Sequence, residues 1–181
     1  MPIVIGAKPE SNFEDPIGLL TDCHRRIERF LSVLVRIEAG ARGGALTREQ
    51  RSSLETALRY FRDAAPKHTA DEESTIFPRL RASGDPEAKA ALARIDALES
   101  DHDRADAAHA EVDRLGREWL DGGALPPDAV AKLSERLNEL SDLHRAHIAV
   151  EEGQVFPIAA RALNAADRHA AGREMAARRG L

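Results

Sequence analysis

Residues 68–78 read "HTADEESTIFP", and residues 147–157 read "HIAVEEGQVFP". The two stretches share six of eleven positions, and their common pattern is H-x3-E-E-x3-F-P. Elsewhere, His24 is followed four residues on by Glu28, and His102 by Asp106. A histidine with an acid four residues later therefore occurs four times, alternating between a short form and the long form. His24 and His68 lie 44 residues apart, and His102 and His147 lie 45 apart. The order is that of a duplicated helical hairpin.

The surrounding residues supply the helices. Asp15 before Pro16 is a helix start, an N-cap acceptor followed by a residue whose missing N–H is harmless there. Leu20, Ile27, Leu31, Leu34 and Ile37 follow with helical spacing, up to a stop at "EAGARGG". Thr47 and Gln50 fit a capping box that opens a second helix through Leu54, Leu58 and Phe61, with a kink expected at Pro66. The third helix is expected from Pro86 to about Leu120, with Leu92, Ile95, Leu98, Val112 and Leu115 inward. The fourth begins near Pro127 with the stripe Val130, Leu133, Leu137, Leu140 and Leu143, and Pro157 bends or stops it. Asn164 can cap a short fifth helix. The expected fold is all-α: an up-down-up-down four-helix bundle with an N-terminal arm and a short C-terminal helix. Residues 1–181 form one domain in this reading, with the bundle core at about 14–163.

Helix geometry gives the repeated pairs a meaning. Residues i and i+4 share a face, one turn apart. Counting about 1.5 Å per residue up and down each hairpin brings all four histidines to nearly one level. Leu54, Leu58, Phe61, His68, Glu72 and Ile76 form one stripe; Leu133, Leu137, Leu140, His147, Glu151 and Ile158 form its counterpart. A lone histidine on an apolar face is usually a hydrogen-bonded core residue. Four histidines with acids at one depth of an apolar core would be expensive to leave unpaired, and cations would remove that expense. Imidazole and carboxylate without thiolate speak against structural zinc and for paired iron or manganese bridged by carboxylates.

Composition narrows the class. Aromatic residues make up only 4% of the chain, which leaves few segments suited to strands. The net charge of −5 gives no footprint for nucleic acid, and the basic cluster of Arg173, Arg178 and Arg179 reads as a solvated helix end. No apolar run approaches the ~20 residues of a membrane span. The first sixteen residues lack the form of an export signal, and Cys23 is the single cysteine. A cytoplasmic location is the expectation.

The His-first order with spacing four and the Phe-Pro endings resemble the hemerythrin HHE cation-binding family. The quoted stretches carry the resemblance, together with "TDCHRRIERF" and "ESDHDRADAAH" around His24 and His102. It spans most of the chain. The resemblance implies a non-heme di-iron centre: two Fe ions per chain, carboxylate- and oxo- or hydroxo-bridged, with Mn or Zn as other possible occupants. It also implies an open position for dioxygen, nitric oxide or peroxide. Transferred by motif, His24, His68, His102 and His147 are terminal ligands, and Glu72 and Glu151 are bridges. Glu73 and Glu152, about 100° further round the helix, are the alternative bridges.

Oxygen-carrying members of the family have a second histidine on the third helix where this chain has Asp106, and Glu28 stands at the matching place in the first. Both acids are expected as further ligands, which favours redox chemistry over oxygen carriage. His144 shares the face of His147 and is either a donor to the ligands or a substitute ligand; His109 is read as pocket lining. Three functions follow: binding or sensing of a small oxidant or diatomic molecule, a di-iron redox enzyme (peroxide-consuming or oxidase-like), or a cation store.

Overall fold

The computed structural model describes residues 11–181, except the side chains of Leu92 and Ala93. The expectations for the far N-terminal arm and for an inward Leu92 lie outside the described residues. Helix α1 (Pro16–Ala41) starts where the Asp15 side chain accepts from the Gly18 N–H, and ends at Arg42 in the left-handed conformation. Helix α2 (Arg48–Asp63) opens on the full Thr47–Gln50 capping box. At Pro66 the chain does more than kink. Helix α2 stops at Asp63, Ala64 stretches to φ −111° within the right-handed helical region, and α3 (Ala65–Asp71) restarts with the proline in its first turn. There the missing N–H forfeits no hydrogen bond.

The two long motifs share a feature that residue spacing did not announce. Glu72–Ile76 and Glu151–Val155 are single π-helical turns, leading into α4 (Phe77–Ala82) and α7 (Phe156–Ala162). Phe77 donates its N–H to the Glu72 carbonyl, and Phe156 to that of Glu151, five residues back in each case. A proline inside an α-helix clashes with the carbonyl four residues earlier and lacks the donor to pair it. One inserted residue per motif moves that carbonyl aside, so the helix continues past Pro78 and Pro157. The insertion also changes which residues face inward. In the second motif Val155 is fully buried, whereas Ile158, expected on the inward stripe, is half-buried.

Helix α5 (Pro86–Gly122) and α6 (Pro127–Val150) complete the bundle, and α8 (Ala165–Arg178) packs outside it. Neighbours around the ring are α1 with α2, α2 with α5, α5 with α6, and α6 with α1. This is the expected up-down-up-down arrangement. At one end, Leu125 donates its N–H to the Gly43 carbonyl, and the Trp119 indole donates to that of Gly44, tying both upper turns together. Gly43 has φ 74°, and a Cβ there would lie 2.2 Å from Val130, so the turn requires glycine twice over.

The apolar core is in two parts. One cluster runs from Ile27 and Leu54 up to Trp119 and Leu143; the other joins Leu20, Ile76, Phe77, Ile95, Phe156 and Met175. Between them lies a polar layer containing His24, His68, His102, His147, Glu72 and Glu151, all buried.

The expectation of a solvated basic end at the C-terminus holds for Arg173, which is exposed, and is corrected for Arg178 and Arg179. Arg178 and Arg179 both pair with Asp71, which is fully buried, and Arg178 also reaches the Thr75 hydroxyl. Arg79 adds two hydrogen bonds to Glu174 of α8, at 2.6 and 3.0 Å. Helix α8 is thereby clamped to the turn that begins at Glu72.

Candidate metal centre

Four helical pieces each present one imidazole to the polar layer: His24 from α1, His68 from α3, His102 from α5 and His147 from α6. Glu72 and Glu151, the first residues of the two π turns, enter between them. His24 Nε2 lies 3.0 Å from Glu151 Oε2 and 3.8 Å from Glu72 Oε1. His68 Nε2 is 3.2 Å from Glu72 Oε1, His147 Nε2 is 3.2 Å from Glu151 Oε2, and His102 Nε2 is 3.4 Å from Glu72 Oε2. Two groups result: His24, His68, Glu72 and Glu151, and His102, His147, Glu72 and Glu151. Within each, the donor atoms lie within 4.8 Å of one another. Both carboxylates belong to both groups.

The adjacent acids do a different job. Glu152 accepts from His24 Nδ1 at 3.0 Å, and Glu73 from His102 Nδ1 at 2.7 Å. The side chains of Glu72 and Glu151 are 0% exposed, while those of Glu73 and Glu152 are 36% and 30% exposed. Glu73 and Glu152 thus fix the tautomer and ring orientation of the two histidines and leave Nε2 facing the centre. A carboxylate behind a ligating imidazole also raises its basicity. Sequence spacing left 72 versus 73 and 151 versus 152 open; the structure turns 72 and 151 inward and 73 and 152 sideways.

The donor set suits cations. His24 Nε2 and all four carboxylate oxygens of Glu72 and Glu151 are buried and lack a hydrogen bond of acceptable geometry. Each buried polar atom left this way costs about 1–3 kcal/mol, and more when charged. Without a cation, protons fill the gap. Burial opposes charge on His24, but the close Glu151 and Glu72 carboxylates outweigh it and raise the imidazole to about 10. His102 is likewise raised to about 9, with burial overcome by Glu72 and then Glu73. Burial dominates at His68 and lowers it. Glu72 is held well below the usual carboxylate range: burial resists ionisation, and the imidazoles of His68, His102 and His24 prevail. A cation entering here would displace protons from imidazoles already aimed at the same carboxylates.

Glu28 and Asp106 do not join either group. Glu28 is exposed, and Asp106 is exposed at the rim of a small cavity beside the centre. Their positions one turn past a histidine share its general face, but both sit far enough round their helices to remain in solvent. The cavity, about 30 Å³, touches all four imidazoles of the centre and is also lined by His109 and His144. Those two face each other with Nε2 atoms 3.0 Å apart. Asp101, which the motifs did not single out, stands 3.7 Å from His147 Nδ1. Trp119 and Tyr60 are packing residues: Trp119 is buried, and Tyr60 stacks on Phe30.

Comparison with known proteins agrees with this geometry. An uncharacterized protein of Haemophilus influenzae is 33% identical over 70 residues, which cover 39% of this chain and 41% of the relative. The match therefore spans less than half of that protein's length. The family model for the hemerythrin HHE cation binding domain matches residues 15–159, from the N-cap of α1 to within α7. That range takes in every histidine and glutamate of both groups, and the chain belongs to the hemerythrin HHE cation-binding family.

Proposed function

We propose that the two groups hold a carboxylate-bridged pair of iron ions, and that this pair binds dioxygen, nitric oxide or peroxide as a sensor or buffer in the cytoplasm. The supporting observation is that both Glu72 and Glu151 belong to both groups. One shared carboxylate could be an accident of packing. Two shared carboxylates, each with an imidazole on either side, make a double bridge. Each group would offer an ion two imidazoles and two carboxylate oxygens, a set that accepts iron, manganese or zinc. Zinc is content with four donors, whereas iron commonly takes more and retains open positions. Bound iron would supply reversible ligand binding and one-electron chemistry; the chain itself supplies orientation and exclusion of water. Glu73 and Glu152 hold the rings, the apolar clusters close the layer above and below, and the cavity limits what enters.

Cavity size favours a small ligand over a large substrate or a mineral store. About 30 Å³ accommodates a water or a molecule of similar size. The same volume admits peroxide, so a peroxide-consuming redox enzyme is the second reading.

Metal analysis of protein from iron-replete cells, with an optical spectrum in air, tests the pairing. The expected result is two irons per chain, with Glu72→Ala and Glu151→Ala each losing the second ion. A single zinc per chain in fully ordered protein would overturn the proposal.

A further inference from the structure

The internal duplication provides a control for every residue of the second hairpin. Aligning His24 with His102 places Leu31 opposite His109, and aligning His68 with His147 places Ala65 opposite His144. Leu31 is a buried core residue, and Ala65 packs against the same core. The fold therefore needs only apolar groups at these two places. The second hairpin has two imidazoles there instead, and both meet in the cavity beside the centre.

Their geometry repeats that of a pair already described. His102 and His147 come from α5 and α6, with Nε2 atoms 3.1 Å apart and ring planes inclined by 50°. His109 and His144 come from the same two helices, with Nε2 atoms 3.0 Å apart and planes inclined by 43°. His109 Nδ1 is buried without a partner, and its ring stacks on Phe61 at 4.3 Å. Position adds a further point. Phe61, Pro66, Asp106 and His109 line both the inner cavity and a surface depression of about 280 Å³. His109 thus stands in the wall between solvent and the four imidazoles of the centre.

We propose that His109 and His144 form an accessory site for a divalent transition-metal cation, on the route between solvent and the bridged pair. Whichever ring donates across the 3.0 Å Nε2···Nε2 hydrogen bond carries that hydrogen on Nδ1 instead when the ion is bound. Both Nε2 lone pairs then converge on the ion, and water or the Asp106 carboxylate at the cavity rim completes its coordination. Imidazole donors select a borderline transition metal over magnesium or calcium. Burial keeps both rings uncharged at neutral pH: it lowers His109 to about 4, and lowers His144 to about 3 with help from the neighbouring histidines. Neither ring has to shed a proton to solvent first. The site's role as an entry point rests on the bridged-pair reading; its existence does not.

The test uses the full-length chain with its bridged centre already loaded, dialysed to equilibrium against Zn2+ while its iron is counted. The expected result is saturable uptake of one further zinc per chain, with iron content unchanged. That uptake should vanish in His109→Leu and in His144→Ala, which import the residues of the first hairpin. Both substitutions suit the fold, and thermal melting of each variant verifies that it is folded. Absence of extra zinc in the unmodified chain, or its persistence in both variants, overturns the site. Stopped-flow loading of the metal-free chain with Fe2+ tests the route: the variants should load more slowly, and equal rates overturn the entry role. A chain that binds zinc at His109 and His144 yet holds no paired iron would refute the bridged centre and leave this site standing.

Discussion

Replacing Arg178 and Arg179 together by alanine should destabilise the protein well beyond the effect of ordinary surface substitutions. Asp71 is fully buried, and it pairs with Arg178 at the end of α8 and with Arg179 just beyond it, whose side chains are only 25% and 21% exposed. Removing both leaves a buried carboxylate with no ion pair to another of the described residues. Breaking a buried pair in this way costs about 3–5 kcal/mol. In a chain of this size each kcal/mol moves the melting temperature by about 2–4 °C, so a fall of about 6–20 °C is expected. Adding Asp71→Asn to the double variant removes the stranded charge and leaves only an imperfectly paired amide, a loss of about 1–3 kcal/mol. The triple variant should therefore melt higher than the double. Differential scanning calorimetry on all three, in metal-free and loaded forms, measures the coupling. A double variant that melts within 2 °C of the parent, or an Asn substitution that restores nothing, would refute the claim that Asp71 depends on α8.

Removing an orienting carboxylate should weaken metal binding without abolishing it. Glu73→Ala and Glu152→Ala are each expected to reduce affinity about 10–100-fold by competition with a chelator, and loss of the second ion from either would mean that it is itself a bridge. The stability of the metal-free chain should fall on the alkaline side. His24 and His102 are raised to about 10 and about 9, so their contribution is complete below about pH 6.5 and is lost as pH climbs through those values. Melting curves of metal-free and loaded protein between pH 7 and 10 should therefore diverge, and parallel curves would count against proton-for-metal replacement. Gly172→Ala should loosen α8, because a Cβ there would lie 1.8 Å from the Phe13 carbonyl oxygen, which belongs to backbone and cannot swing aside. A loss of about 1–3 kcal/mol is expected in denaturant unfolding.

Much of the bundle was legible because its signals are local and periodic. Asp15, Thr47 and Asn164 cap the helices their positions suggested, and the leucine stripes face the core. The grouping of the four histidines with Glu72 and Glu151 was legible because the motif is duplicated. The π turns were not. An extra residue in a helical turn leaves no composition signal, and its cause, a proline six residues after Glu72 or Glu151, equally suggests a bend or a stop. Spacing also placed Glu28 and Asp106 one turn from a histidine without showing that their helices turn them towards water. The pairing of Arg178 with Asp71 spans 107 residues, and no local pattern could connect them. A charged residue inside a motif and two arginines at a chain end looked like separate solvated groups until the tertiary structure joined them.

The polar layer that divides the apolar core also divides the molecule's cooperativity. Above it, the cluster around Leu34, Leu58, Leu115 and Leu137 is continuous through all four long helices and is tied at the upper turns. Below it, the cluster of Ile76, Phe77, Phe156 and Met175 joins short helices, clamped by α8, to Leu20 of α1 and Ile95 of α5. Ions held between them would contact side chains of α1, α3, α5 and α6 and so make the two parts open and close together. In their absence only α1 and α5, among the described residues, would bring buried side chains to both parts, and the lower one is expected to open at a smaller free energy. Amide hydrogen exchange would then proceed at two levels of protection: slow in the upper halves of α1, α2, α5 and α6, and faster in α4, α7 and α8. Metal content would set the size of the unit that must open before a protease or an oxidant can reach the interior.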